Sequence, residues 1–340
     1  MPAPGVLSRV ERMRILVLGG TAFVGRAVVA EALDAGAHVT LFGRGRTGTE
    51  LFPEAARLVG DRDTGDLDAL RAGSWDAVVD VSGYLPGQVG AAMDALGDRV
   101  GRYLFISTNA VYQEDGVGPG ADESTPTRPP VRTVARVDDL DNATYGPSKV
   151  ACEDDIRDRF GGRATIVRAG QLVGPHDENE LFAYWVRRAA RGGRVAMTAD
   201  PAQPVQVLDV RDLAVLVRRL VEDDRGGVFN AMGPAEPTTL GGLVETCAAA
   251  AGTSVELVRT PAEAAAGAPR LPFVRAAWAS QQRDTTLARA AGLPGTPLAR
   301  TAADVLAWDR GRGEPPLSCG LSEEQERALL AGLSGDAARS

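Results

Sequence analysis

The sequence predicts an α/β fold built on a doubly wound parallel sheet. Two observations carry that prediction. Short apolar runs, each closed by a glycine or another turn residue, alternate with segments of helical periodicity. The first of these runs passes through a glycine-rich stretch straight into a helix.

The elements follow in order. Met13–Gly19, MRILVLG, is a short apolar run ending in glycine, as for a buried parallel strand. TAFVGRAVVAEALDAG repeats apolar residues at helical spacing and stops at glycine. HVTLFGR reads as a second strand, ARLVGD as a third and DAVVDVSG as a fourth. QVGAAMDALGD is a helix and RYLFIST a fifth strand. Residues 113–142, rich in Pro, Gly and acid, are too long for an ordinary connection and read as functional or mobile. A helix at about 144–160 and the strand ATIVRAG come next, then PVQVLDV, a helix at about 210–223, GVFNAMG and a helix at about 238–251. The Ala- and Pro-rich segment 260–282 has no clear pattern, and the stretches beyond it are helical in part. The predicted organisation is a Rossmann-type domain over 13–170, to which about 203–233 return. A smaller, mainly substrate-binding region covers 171–320, with flexible ends at 1–12 and 335–340.

Composition narrows the function. A chain of 340 residues buries a substantial core, and a net charge of −8 argues against general affinity for nucleic acid. Cys152, Cys247 and Cys319 are widely spaced and read as buried free thiols, not as a disulfide or zinc framework. Two histidines, His38 and His176, do not suggest a metal site, so no metal is expected. No apolar run is long enough for a membrane span, and the first residues lack the apolar core of a leader, so a cytoplasmic location is expected.

The stretch LVLGGTAFVGRAV sets Gly19, Ala22 and Gly25 in a dinucleotide-binding frame, with Thr21, Phe23 and Val24 between them. A tight turn favours Gly, a phosphate approaching the helix N-terminus excludes a bulky Cβ, and close helix packing favours Gly again. The second strand ends in TLFGRGRTG, with no acid to bind a ribose 2′-hydroxyl. Arg44 and Arg46 stand there instead, and a guanidinium grips a 2′-phosphate with two bonds, so NADP(H) is expected over NAD(H). Asp61, after the third strand, is placed to reach the adenine amino group, although an Asp there is also a common turn residue.

Tyr145 and Lys149 form Y-x-x-x-K, and Lys149 is the only lysine in the chain. On a helix the two share one face, where an ammonium would favour the phenolate and lower its pKa from about 10. A tyrosine tuned in this way exchanges a proton with an alcohol or ketone.

With these residues in view, the chain resembles the short-chain dehydrogenase/reductase superfamily, in its extended epimerase/dehydratase-like branch. The motifs are GGTAFVG at 19–25, GDRD at 60–63, FISTNAVY at 105–112, YGPSK at 145–149, RAGQLVGPHD at 168–177, VQVLDVRDLA at 205–214 and GVFNAMG at 227–233. The GGTxFxG form resembles an atypical subgroup that includes bacterial reductases and chloroplast stem-loop RNA-binding proteins. The resemblance implies that Tyr145 is the acid/base and that Lys149 binds the nicotinamide ribose and tunes Tyr145. It further implies that Thr108, with Ser107 as second choice, bonds the reacting oxygen. Ser82 and Gly83 would lie against the cofactor, and Arg168–Gly174, including Ala169, would line its nicotinamide side. Asn109 and Ala110 replace the Asp-Glu pair of the sugar-nucleotide dehydratases, which disfavours water elimination.

Tyr84, Asn109, Gln171, His176 and Gln206 are candidate substrate contacts. Tyr184 and Trp185 read as core, Arg187, Arg188 and Arg191 as a solvated helix face, and Asp209 and Asp212 as a helix start. The expected function is an NADP(H)-dependent oxidoreductase moving a hydride to or from a secondary alcohol or ketone of a sugar nucleotide or other polar metabolite. The alternatives are a cofactor-retaining sugar-nucleotide epimerase and a non-catalytic nucleotide- or RNA-binding protein. The expected partners are a small-molecule substrate and, as the resemblance implies, a second copy in a homodimer, with no nucleic acid or membrane.

Overall fold

The structure, a computed structural model, describes residues 10–261 and 267–336. The expected flexible ends fall partly outside them. Within them, Val10–Arg12 form a 3-10 turn and the last helix runs to Asp336.

The chain folds as two compact units. The first takes the chain up to Gly170 together with Val210–Ala231 and Arg283–Pro294, and the second takes Gln171–Asp209, Met232–Gln282 and the chain from Gly295 onward. In chain order the first unit opens with β1 (Arg14–Leu18), α1 (Phe23–Asp34), β2 (His38–Gly43), β3 (Ala56–Val59) and β4 (Trp75–Asp80). It continues with α2 (Pro86–Leu96), β5 (Val100–Thr108), α3 (Tyr145–Phe160) and β6 (Ala164–Ala169). The second unit then contributes β7 (Gln171–Val173), α4 (Leu181–Ala190), β8 (Gly193–Met197), β9 (Pro204–Val205) and β10 (Val207–Asp209). The chain returns to the first unit with α5 (Val210–Glu222) and β11 (Gly227–Ala231). After β12 (Thr238–Thr239), α6 (Leu240–Ala250) and β13 (Val255–Arg259) in the second unit, α7 (Thr286–Ala290) belongs to the first. The second unit closes with α8 (Leu298–Gly311) and α9 (Glu323–Asp336).

The first unit is a seven-stranded parallel sheet in the order β11-β6-β5-β4-β1-β2-β3. The order reverses between β1 and β4, which opens a crevice beyond the carboxyl ends of those strands, the usual ligand position in such sheets. On one face Leu16, Val78, Tyr103, Phe105 and Ile166 pack with Val89 and Met93 of α2 and Ile156 and Phe160 of α3. On the other, α1 packs against α5. β3 is short and mostly exposed, as an edge strand tolerates. The 113–142 segment is tied down by backbone bonds: Gln113 to Pro126, Arg128 to Val111, Val131 to Pro147 and Asp284 to Ala121.

The second unit pairs β8 with β13 and β7 with β10, both in parallel. Its core joins Phe182, Trp185 and Val186 of α4, Leu243 and Val244 of α6, Val305 of α8 and Met197 of β8.

Candidate functional site

The glycine turn is dictated by close contacts. Gly19 has φ +91°, and a Cβ on it would stand 2.7 Å from Ser82 Cβ. A Cβ on Gly25 would stand 1.9 Å from the Gly19 carbonyl oxygen. Helix α1 therefore starts pressed against the turn. Its N-cap, Ala22, makes no side-chain bond, and Phe23, Val24 and the rest of the first turn bring no acidic residue. The positive end of the helix is thus left for an anion. Thr21 lies in the turn itself.

At the far end of the crevice β2 closes with Gly43, where an added Cβ meets nothing within 4 Å. Arg44 beyond it is exposed. Arg46 Nη2 lies 3.7 Å from Asp61 Oδ2, so two expected cofactor residues meet. Asp61 Oδ1 also accepts the Asp63 N–H at 3.0 Å. Val59, 64% exposed, sits 3.6 Å from where a Gly45 Cβ would be and adds an apolar surface beside these charges. The sequence did not single Val59 out, because its exposure depends on β3 being an edge.

Thr108, Tyr145 and Lys149 are brought together in the first unit. Thr108 ends β5, where its Oγ1 accepts the Ala110 N–H at 3.2 Å and its hydroxyl is hydrogen-bonded to the Tyr145 phenol. Gly146 lets α3 start here, since a Cβ on it would stand 2.0 Å from the Ala110 carbonyl oxygen. One turn along, Lys149 is buried and donates to the carbonyls of Gly83 and Ile106, each at 2.7 Å. Its Nζ lies 4.1 Å from the Phe105 ring centroid and 5.4 Å from that of Tyr84. Tyr84, 37% exposed, has its ring 6.5 Å from that of Tyr145.

The electrostatics differ from the expectation of a lowered phenol. Burial pushes Tyr145 up to about 12, with Tyr84 adding to the rise and the Thr108 bond opposing it. Lys149 spends its protons on two carbonyls, and burial lowers its own pKa to about 8.

Beneath these residues lie two buried ion pairs that sequence reasoning missed. Arg62 grips Asp80 with both nitrogens, at 2.7 and 2.9 Å, and Tyr103 donates to Asp80 at 2.7 Å. Burial works to raise the Asp80 pKa, but Arg62 and Tyr103 hold it below the usual carboxylate range. Ser82 donates its N–H to Asp80 and its hydroxyl to the Leu18 carbonyl. Arg168 pairs with Glu153 at 2.7 Å, and Ser107 donates to Glu153 at 2.6 Å, so the second-choice hydroxyl is engaged inside the core. Ala169, the last residue of β6, is buried. The guanidinium groups of Arg168 and Arg283 both lie over the Tyr112 ring, at 4.7 and 4.5 Å from its centroid, and Arg283 donates to Asn109 at 3.2 Å. Arg62 and Asp80 stood in quoted motifs, but their partnership crosses strands and leaves no periodic trace.

Gln171 and His176 belong to the second unit. Gln171 donates to Gln281 at 2.8 Å, and Gln281 also accepts the Gln206 N–H at 3.3 Å. His176, at φ +72°, meets Trp308 edge-on at 5.5 Å. Tyr184 and Trp185 are core residues. The two arginines within α4 are not a solvated face: Arg187 pairs with Asp309 and Arg188 with Glu326, because α8 and α9 bring carboxylates over that helix, whereas Arg191, its C-cap, is exposed as expected and lies 3.4 Å from Glu323. Cys152 and Cys247 are buried free thiols, and Cys319 is half-buried. Among the described residues no helix is long and apolar enough to cross a membrane, and no group of three or more His, Cys, Asp or Glu could hold a metal ion.

The crevice fits a dinucleotide: a glycine turn with no room for side chains, an uncapped helix start, open space at Gly43, and arginines beside an exposed valine. Residues 85–231 match the NAD dependent epimerase/dehydratase family. Over 263 residues the chain is 24% identical to the chloroplast stem-loop binding protein of 41 kDa b of Arabidopsis thaliana, covering 72% of this chain. That match spans 65% of the plant protein, just under two thirds of its length. Over 268 residues it is 27% identical to the 2′-dehydrokanamycin reductase of Streptomyces kanamyceticus, covering 75% and 72% of the two chains. Among solved structures, the UDP-glucose 4-epimerase of Thermotoga maritima with UDP-glucose superposes with a TM-score of 0.67 at 18% identity, over 89% of this chain and 100% of that one. That likeness is one of fold. The expected Rossmann-type sheet is met, and the match over residues 85–231 agrees with the expected epimerase/dehydratase resemblance.

Proposed function

We propose that this chain, whose residues 85–231 match the NAD dependent epimerase/dehydratase family, is an NADP(H)-dependent oxidoreductase acting on a secondary alcohol or ketone of a sugar nucleotide or other polar metabolite. The observation that carries the reading is the Thr108–Tyr145 hydrogen bond, one helical turn from the buried ammonium of Lys149. When bound, the nicotinamide supplies or accepts the hydride. Tyr145 gives its phenolic proton to the carbonyl oxygen of a ketone, or takes the proton of an alcohol, while Thr108 holds that oxygen. A protonated Tyr145 in the free protein suits the reductive direction, and burial keeps it protonated at neutral pH. Lys149 keeps one N–H beyond those given to the Gly83 and Ile106 carbonyls, and with it holds a ribose hydroxyl. The Gly19–Gly25 turn and the start of α1 receive the diphosphate, Arg44 and Arg46 the 2′-phosphate, and Asp61 with Val59 the adenine.

Two features favour net reduction. No acid follows β2, and the Asn109–Ala110 pair offers no second acid/base for eliminating water. The Streptomyces relative is itself named a reductase. The test is a titration of NADPH, NADH, NADP+ and NAD+ against wild type and Arg44→Ala. Tight NADPH binding that weakens selectively in the variant, by about tenfold or more, is expected for a lost phosphate contact. Preference for NAD+ with no response to Arg44 overturns the cofactor assignment and favours the epimerase. Binding of none of the four leaves a nucleic-acid or other non-catalytic role.

A further inference from the structure

We propose that Asp80, clamped by Arg62 and Tyr103, is the buried counter-charge that holds the Lys149 ammonium in place, with Arg62 opposing it. This rests on the reading of Lys149 as part of the reacting site. Asp80 is fully buried and is the last residue of β4. A Cβ on Gly83 would stand 2.9 Å from Asp80 Oδ2, and the Gly83 carbonyl accepts from Lys149 Nζ at 2.7 Å. The carboxylate therefore packs against the peptide segment that receives the ammonium proton. Ser82, one residue earlier, is pinned by the same group: its N–H goes to Asp80 at 3.1 Å, and its Oγ accepts from Arg62 at 3.2 Å. Asp80 is thus a positioning residue for both the Lys149 acceptor and the glycine turn that rests on Ser82.

The charged and titratable neighbours of Lys149 come from every element around it. Asp80 is on β4, Glu153 and Cys152 are on α3, and Arg62 follows β3. Phe105 of β5 and Tyr84 present ring faces. Glu153 is matched by Arg168 and Ser107. Asp80 is matched by Arg62, whose Nε is nevertheless buried with no hydrogen-bond partner. Burying an incompletely satisfied guanidinium is costly, so the pair is a poor device for stability alone. It makes sense as a device that sets charge: Asp80 favours the ammonium and Arg62 disfavours it.

Because Lys149 is the only lysine, uniform [ε-13C]lysine labelling gives one side-chain methylene signal. Its titration can be followed in the cofactor-free protein, so the result does not depend on the proposed redox reading. In folded Asp80→Asn the midpoint should fall by about one pH unit, and in Arg62→Gln it should rise. Shifts of opposite sign are the signature, since general loosening would move both variants toward the value of free lysine. An unchanged midpoint in folded Asp80→Asn, or shifts of one sign in both, overturns the proposal. If Asp80→Asn does not fold, the neutral pair Asp80→Asn/Arg62→Gln, which strands no charge, takes its place: a midpoint below that of Arg62→Gln supports the proposal, and one equal to it or higher overturns it.

Discussion

Gly25 approaches Gly19 so closely that a Cβ on the helix residue would stand 1.9 Å from the turn residue's carbonyl oxygen. The obstacle is backbone, so it has no flexible end to move aside. Gly25→Ala should therefore cost at least about 1–3 kcal/mol of stability, as overpacking does, and should weaken dinucleotide binding by displacing the start of α1. Gly90 is the control: it lies inside α2, and a Cβ there meets nothing within 4 Å. Gly90→Ala should stabilise the protein by about 0.5–1 kcal/mol. Urea unfolding of both variants checks the pair, and equal losses in the two would contradict the steric argument.

Glu153 and Arg168 are 0% and 2% exposed, so neither charge has water to fall back on. Glu153→Met strands the guanidinium and takes away the acceptor of Ser107, and a loss of about 3–5 kcal/mol is expected. Removing both partners in Glu153→Met/Arg168→Met should cost clearly less than the sum of the single losses. A double-mutant cycle by denaturant unfolding reads the coupling, and additive losses would mean that the pair does not act as one unit.

The sheet was legible because its signals are local. MRILVLG and RYLFIST are mostly apolar, and Ile15–Leu18 and Tyr103–Ile106 within them are buried in their strands. The glycine turn and the Tyr145–Lys149 spacing were legible for the same reason, since turn and helix geometry are short-range. The Arg62–Asp80 pair was not, because 18 residues and a strand separate its members and nothing in the spacing predicts their meeting. The arginines of α4 misled for a related reason. Their amphipathic spacing is that of a surface helix, and only the fold brings Asp309 and Glu326 over it. The phenol of Tyr145 misled through distance: four residues on a helix brought Lys149 near, but the carbonyls of Gly83 and Ile106 drew its ammonium inward.

Tyr145→Phe removes the phenolic proton and leaves the ring in place. Turnover should fall by about 10²–10⁴-fold, the usual loss for a general acid or base. NADPH affinity should stay within about twofold, because the dinucleotide contacts assigned above lie on other residues. Stability should change by only about 1 kcal/mol, the net worth of the Thr108 hydrogen bond. Steady-state kinetics, cofactor titration and thermal melting together distinguish this from a packing defect, which would move all three.

Lys149 also gives the chain a characteristic response to pH. Burial lowers its folded pKa to about 8, whereas an unfolded chain restores the usual value of about 10.4. Below about 8 both states carry the proton, and the burial cost is fully present. Between the two values the unfolded chain binds a proton that the folded chain has released, so stability rises with pH across that window. Above it both states are neutral, and the cost is gone. The gain amounts to about 3 kcal/mol. The raised Tyr145 pKa acts the other way at alkaline pH, but it is shared by any Lys149 variant and cancels in a comparison. Urea unfolding of wild type and Lys149→Met from pH 7 to 11 should therefore show wild type gaining roughly that amount on the variant. The slope is the test rather than the difference at pH 7, since Met also deprives the carbonyls of Gly83 and Ile106 of their donor. Parallel curves would mean that Lys149 keeps an ordinary lysine pKa in the folded protein.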